Sequence, residues 1–336
     1  VARFVGRLRE LAVLQREFEL VKRGRGRVLL VSADPGVGKT RLLQEFAGRV
    51  QARALVLIGR GSPLTESVPL GIIAEPLHAH LTGLPGDAAS GLAMPEWAGE
   101  PVARQSVSLL RTFAQLRGVL GEMAKTQPVV VILDDAHQAD LSSWGLLAHL
   151  ARNPVPAPVL VIAATRVAPL AENPDLAATL GALVKDGIAT RLRLGSFDAD
   201  EVAQLAAAVL GPERGDPELV AWLQARAGGN PLFTTALLEH LARNPARDQV
   251  PASVRERVTQ IRAALPAPAR EVLDLAAVLG HAFPPATIVA VAGAGSAAQL
   301  DALVSERLLV ERPDGYDFAH PLLQEAVYAT LGAARR

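Results

Sequence analysis

Taken as a string of apolar and polar positions, the chain changes character near residue 195. Up to that point, short apolar runs alternate with longer amphipathic stretches, the pattern of parallel strands separated by helices. The runs at 28–31, 54–58, 129–133, 159–164 and 190–194 read as five strands. The run over 129–133 is apolar at every position, which demands burial on both faces. Leu11, Leu14, Phe18 and Leu20-Val21 form a helical stripe ahead of the first strand, and 41–50 is amphipathic after it. Over 106–125 the stripe is Leu109, Leu110, Phe113, Leu116, Val119, Leu120 and Met123. The second strand is closed by Gly59-Arg60-Gly61, and the Pro- and Gly-rich stretch 62–100 has no clear period. Such alternation predicts an α/β fold: a parallel sheet with helices on both faces.

Beyond 195 the period is helical. Asp198 to Glu201 form a capping box ahead of Val202, Leu205, Val209 and Leu210. Asp216-Pro217 opens a second helix that stops at Gly228-Gly229, and 234–243 makes a third. The last part carries three helical stretches, 267–280, 285–292 and 296–307, the third capped at Ser296. A hairpin follows: 308–312, a turn at Pro313-Asp314-Gly315, then 316–320. Helices followed by a two-stranded wing predict a winged helix. The expected organisation is a nucleotide-binding domain over 1–195, a helical lid over 196–250 and a winged-helix domain over 251–336.

Composition narrows the classes. The 336 residues exceed one compact core, and 50% hydrophobic content excludes a disordered chain. Lys plus Arg equals Asp plus Glu at 34 each, which argues against wrapping nucleic acid by charge alone. The basic loop 22–27 reads as solvated. Without cysteine there are no disulfides or thiolate metal sites, and no histidine pair has helical zinc spacing. No apolar stretch approaches the roughly 18 residues of a membrane span, and the N-terminus has no signal-peptide core, so a cytoplasmic location is expected. The absent start methionine and the ending in Arg335-Arg336 predict a piece of a longer chain.

Candidate chemistry centres on residues 33–40, Ala-Asp-Pro-Gly-Val-Gly-Lys-Thr, between a strand and an amphipathic helix. This is a phosphate-binding loop: Gly36, Val37 and Gly38 turn backbone N–H groups inward, Lys39 reaches the β/γ oxygens and the Thr40 hydroxyl ligates Mg²⁺, with Arg41 opening the helix. Ala33 stands where the pattern has its first glycine, tolerable if its φ is negative. Asp134 and Asp135 end the third apolar run, where parallel sheets place ligands. Asp134 is the candidate for holding Mg²⁺ through water, and Asp135 for polarising the attacking water. Arg166, ending the next run, either reports the γ-phosphate or makes a surface salt bridge. Gly6-Arg7 is an adenine-pocket lining or a surface turn. The stretch 297–307 carries two acids and one base, so the winged helix is expected to pack rather than read DNA.

Together, Phe4-Val-Gly-Arg7, Ala33 to Thr40, Leu133 to Asp140, Ala164-Thr-Arg166, Gly228 to Phe233 and Phe318 to Tyr328 resemble the core of the signal-transduction ATPases with numerous domains (STAND). Among them the chain is most similar to the ATPase part of large LuxR-type and SARP-type bacterial transcription activators. The resemblance implies an ATP/ADP switch that opens to self-associate in the ATP state. It implies that Arg7 and Pro231 border the adenine, Arg166 senses the γ-phosphate and His320 touches the β-phosphate, with DNA read by domains outside this chain. Gln324 stands where relatives often have arginine. With no arginine finger identified and Asp135 one methylene shorter than a catalytic glutamate, slow hydrolysis is expected. The rivals are an AAA+-type DNA-loading or initiator ATPase and a non-catalytic module that holds ADP.

Overall fold

The computed structural model describes residues 4–83, 105–166, 174–211, 216–244, 249–293 and 295–332. The chain divides into two compact units: residues 7–33 with 39–194, and residues 1–6 and 34–38 with 195–336.

The first unit is built on five parallel strands: β1 (Arg27–Ala33), β2 (Leu55–Arg60), β3 (Val129–Asp134), β4 (Val159–Arg166) and β5 (Ala189–Leu194). Their spatial order is β2-β3-β4-β1-β5, so β1 lies between β4 and β5 and is flanked on both sides. Register aligns Ala33 with Arg166 and Leu194, and Arg60 with Asp134, so the carboxyl ends that carry the candidate residues share one edge. Helices α1 (Leu8–Val21), α2 (Lys39–Val50), α3 (Pro63–Glu66), α4 (Gly71–Thr82), α5 (Gln105–Met123), α6 (Leu141–Arg152) and α7 (Pro174–Lys185) accompany the sheet. β3 is buried at all six positions, as a strand with helices on both faces must be.

Three expectations in this unit need correction. The second strand runs on through Gly59 to Arg60 rather than closing there. Gly59 is in the strand because the backbone of α4 crosses it: a Cβ would run into the Ile72 carbonyl. Leu110 is 62% exposed, because the buried seam 113, 116, 120 and 123 leaves its neighbour about 100° round the helix. On α1 the buried face includes Glu17, while Leu20 is only half-buried; Glu17 accepts a hydrogen bond from Arg27 Nε. Pattern-reading by hydrophobicity passes over a carboxylate whose charge is neutralised from another element.

The second unit is helical apart from one hairpin. It comprises α8 (Ala199–Leu210), α9 (Pro217–Ala227), α10 (Pro231–Arg243), α11 (Ala252–Ala264), α12 (Ala267–Leu279), α13 (Pro285–Ala292), α14 (Ser296–Ser305), the antiparallel pair β6 (Leu309–Arg312) and β7 (Gly315–Phe318), and α15 (Pro321–Thr330). One apolar core joins them, from Phe197 to Val327. The capping box at Asp198 and Glu201 is formed in both directions, and Asp216 caps α9 with Pro217 in its first turn. Two helices, α11 and α15, come in addition to the three expected after 251. The third helix of this unit starts at Pro231 rather than Thr234, because Asn230 caps it. Ser296 is no cap: its hydroxyl donates back to the Gly293 carbonyl at 2.6 Å, and Gly295 occupies the cap position. Among the described residues no helix is long and apolar enough to cross a membrane.

Candidate functional site

Within the sheet unit, β1 delivers the chain into the phosphate loop and α2 receives it at Lys39. Ala33 is the last residue of β1 and its φ is not positive, so the missing glycine costs nothing there. The strained positions are Gly36 (φ 78°) and Gly38 (φ 97°), where a side chain would be disfavoured and where both are glycine. Lys39 is 8% exposed and its Nζ donates to the Ala33 carbonyl at 3.3 Å. The Thr40 hydroxyl donates to Asp134 Oδ2 at 2.7 Å, which sets the two proposed metal ligands side by side. Arg60, the last residue of β2, has Nη2 3.9 Å from the same oxygen, a largely exposed cation that the sequence pattern gave no reason to select. Among the described residues no group of three His, Asp or Glu side chains could hold a metal. A hydroxyl and one carboxylate fit Mg²⁺, which takes few protein ligands and completes its shell with water and phosphate.

Asp135 adopts a left-handed conformation (φ 50°, ψ 39°) and its N–H donates to Asp134 Oδ1 at 3.0 Å. Its side chain remains 36% exposed. A 3-10 turn, Ala136–Gln138, follows, and then Asp140 caps α6 by accepting from the N–H groups of Ser142 and Ser143. Asp140 also accepts from Leu70 N at 3.0 Å, so the third acid of this segment is structural.

Sequence reasoning passed over His137, between these acids. Its side chain is 6% exposed, and neither ring nitrogen has a hydrogen-bond partner; the nearest acid, Asp135 Oδ1, is 3.9 Å from Nδ1. Burial, then the charges of Arg166 and Lys39, push its pKa down to about 4 against the pull of Asp134. A buried polar group left unpaired costs about 1–3 kcal/mol. The signal that would have found it is position: the third residue beyond the acid of a phosphate-loop sheet.

Arg166 is half-buried at the end of β4 and acts electrostatically on His137. Arg7 takes a left-handed conformation (φ 58°) ahead of α1, is 5% exposed and donates to Glu10 at 3.0 Å. Arg41 lies exposed on α2.

In the helical unit, residues 34–38 of the same loop are held from three directions. Asn230 Nδ2 donates to the Pro35 carbonyl at 3.1 Å, and Leu232 N donates to the Gly36 carbonyl at 3.2 Å. Arg307 Nε lies 3.2 Å from Asp34 Oδ1, an ion pair whose geometry falls short of a hydrogen bond. Val37 is buried. His320 packs edge-on to Phe233, with ring centroids 5.4 Å apart, and its Nε2 is 3.4 Å from Asn230 Nδ2. Its Nδ1 is buried without a partner, and burial lowers its pKa despite Asp34. Pro231 opens α10, half-buried, one residue from the Asn230 cap. The turn 228–231 thus grips the loop 34–38 through Asn230. Gln324 Nε2 is committed to the Ala277 carbonyl at 2.7 Å.

Within the sheet unit, the Thr40 hydroxyl on Asp134, the buried Lys39 and the orphaned imidazole of His137 fit a nucleotide phosphate tail with Mg²⁺. Residues 3–162 match the family described as the AAA ATPase domain. An uncharacterized protein of Rhizobium meliloti (strain 1021) is 27% identical over 377 residues, covering 96% of this chain and 35% of its own length. The chain therefore spans about a third of that curated relative. Among solved structures, the Walker-type ATPase of Pyrococcus abyssi is 16% identical, with 96% of each chain covered and a TM-score of 0.59. The ORC2 protein of Aeropyrum pernix, solved in ADPNP–ADP complexes, is also 16% identical, with 97% and 94% covered and a TM-score of 0.53. At such identities the likeness is one of fold, that of the P-loop ATPases.

Proposed function

We propose that the chain is an adenine-nucleotide switch: it binds ATP and ADP with Mg²⁺, hydrolyses ATP slowly, and controls the conformation and self-association of a bacterial transcription regulator of the LuxR or SARP type. The observation that carries this reading is the Thr40 hydroxyl on the Asp134 carboxylate, beside the buried Lys39, at the end of a loop with two positive-φ glycines. In this reading Lys39 neutralises charge on the β and γ oxygens and the loop N–H groups cradle them. Thr40 and Asp134 hold Mg²⁺, which when bound supplies further charge neutralisation. Asp135 polarises the attacking water, Arg166 answers to the terminal phosphate, His320 touches the β-phosphate, and Arg7 and Pro231 border the adenine.

Slow turnover is supported by Asp135, whose short side chain is over a third exposed and so loosely placed for a base. Hydrolysis well below about one per second is expected, as for phosphate-loop enzymes without an arginine finger. Phosphate release by the purified chain at tens per second would contradict the switch.

A second reading, an initiator-type ATPase that loads onto DNA, is favoured by the likeness to the ORC2 protein along nearly the whole chain. Against it, α14 carries Asp301 and no base, and Arg307 just after it is paired with Asp34. Binding of this chain to duplex DNA with a steep salt dependence would favour the initiator. Nucleotide exchange that left the particle unchanged would favour a module that merely holds ADP.

A further inference from the structure

His137 is the one near-fully buried imidazole whose two ring nitrogens both lack a partner among the described residues, and the charges that act on it are those of Lys39, Asp134 and Arg166. It rides on the 3-10 turn directly beyond β3, at the sheet edge where the phosphate loop begins. A packing role alone would be better served by an apolar side chain, since an orphaned imidazole carries its desolvation without return. We propose that His137 is a specificity-determining contact for the terminal phosphoryl group: one ring N–H donates to it, so that the site distinguishes a triphosphate from a diphosphate.

The chemistry is suitable on three counts. The imidazole is neutral at physiological pH, because burial and the two nearby cations hold its proton affinity down. A neutral ring keeps one donor and one acceptor, so a donor is available without a third positive charge beside Lys39 and Arg166. The 3-10 turn that carries it is tied back by the Gln138 and Ala139 N–H groups to the carbonyls of Asp135 and Ala136, which fixes its approach. Asp135, just ahead of the turn, has its side chain 36% exposed, against 6% for that of His137.

This inference rests on the reading of the chain as a nucleotide switch, and the test separates the two. Calorimetry would compare ADP with a non-hydrolysable ATP analogue, both with Mg²⁺, on wild type, His137→Leu and His137→Gln. The expectation is that His137→Leu binds the analogue roughly ten- to a hundredfold more weakly, the range for a lost hydrogen bond to a charged group, while ADP affinity moves by less than about twofold. His137→Gln, which keeps an N–H, should recover part of the loss. Should His137→Leu fail to fold, ¹⁵N imidazole resonances of wild type decide, with His137 identified by its absence from the His137→Gln spectrum. A shift on adding analogue but not ADP supports the contact. An unchanged analogue-to-ADP ratio in the variants, or the same shift with both nucleotides, overturns it while leaving the switch intact. Wild type that binds neither nucleotide overturns the switch and this inference with it.

Discussion

Asn230 spends each polar atom of its side chain on a different partner. Oδ1 caps α10 by accepting from Leu232 N at 3.0 Å, and Nδ2 holds the Pro35 carbonyl within reach of His320. Asn230→Ala removes the cap and the loop contact together and should cost about 1–2 kcal/mol, read as a lower thermal midpoint. Asn230→Asp restores the cap without the loop donor and should recover only part. Equal losses in the two variants would show that the cap contributes nothing. His320 offers a pH test. Its folded pKa lies below the ordinary value of about 6.5, so below that pH the unfolded chain takes up the proton more readily and folding loses stability. The thermal midpoint should therefore fall more steeply between pH 7 and pH 5 in wild type than in His320→Gln; parallel curves would contradict the assignment. At this scale the sequence is legible where chemistry forces a residue type, as at Gly36, Gly38 and Thr40. It is silent where burial alone gives meaning, as at His137 and Glu17.

The segment 133–140 shows how one element divides its labour. Asp134 ends β3 and meets Thr40, Asp135 turns the chain through a left-handed residue, His137 is buried on the 3-10 turn, and Asp140 starts α6. Asp140→Ala should cost about 1–2 kcal/mol through the lost cap and the freed Leu70 N–H, with nucleotide affinity unchanged. A matching loss of affinity in calorimetry would place Asp140 among the binding residues instead. The strands were readable because both-face burial writes itself as unbroken apolar runs, as in 129–133 and 159–164. The helices were less so. α11 buries only Val254 and Val258 on its thirteen residues, too sparse a stripe to stand out, and α15 begins with Pro321 directly beyond the hairpin. Gly59 looked like a strand end because the crossing of α4 that requires it is a tertiary fact.

For the whole molecule, equal numbers of acidic and basic residues give no net charge, so net charge alone draws in no partner. Grouping of residues 34–38 with the helical unit, while Lys39 and Thr40 belong to the sheet unit, puts the two halves of one phosphate loop in different bodies. The particle mass by light scattering should rise with a non-hydrolysable ATP analogue and not with ADP; identical masses would remove self-association from the account. The central claim is more elementary, that an adenine nucleotide with Mg²⁺ is gripped through its phosphates by Lys39. Isothermal titration of ATP into the wild-type chain and into Lys39→Ala tests it most directly. Saturable binding that drops at least tenfold in the variant is predicted, and either no uptake by wild type or equal uptake by both would contradict it.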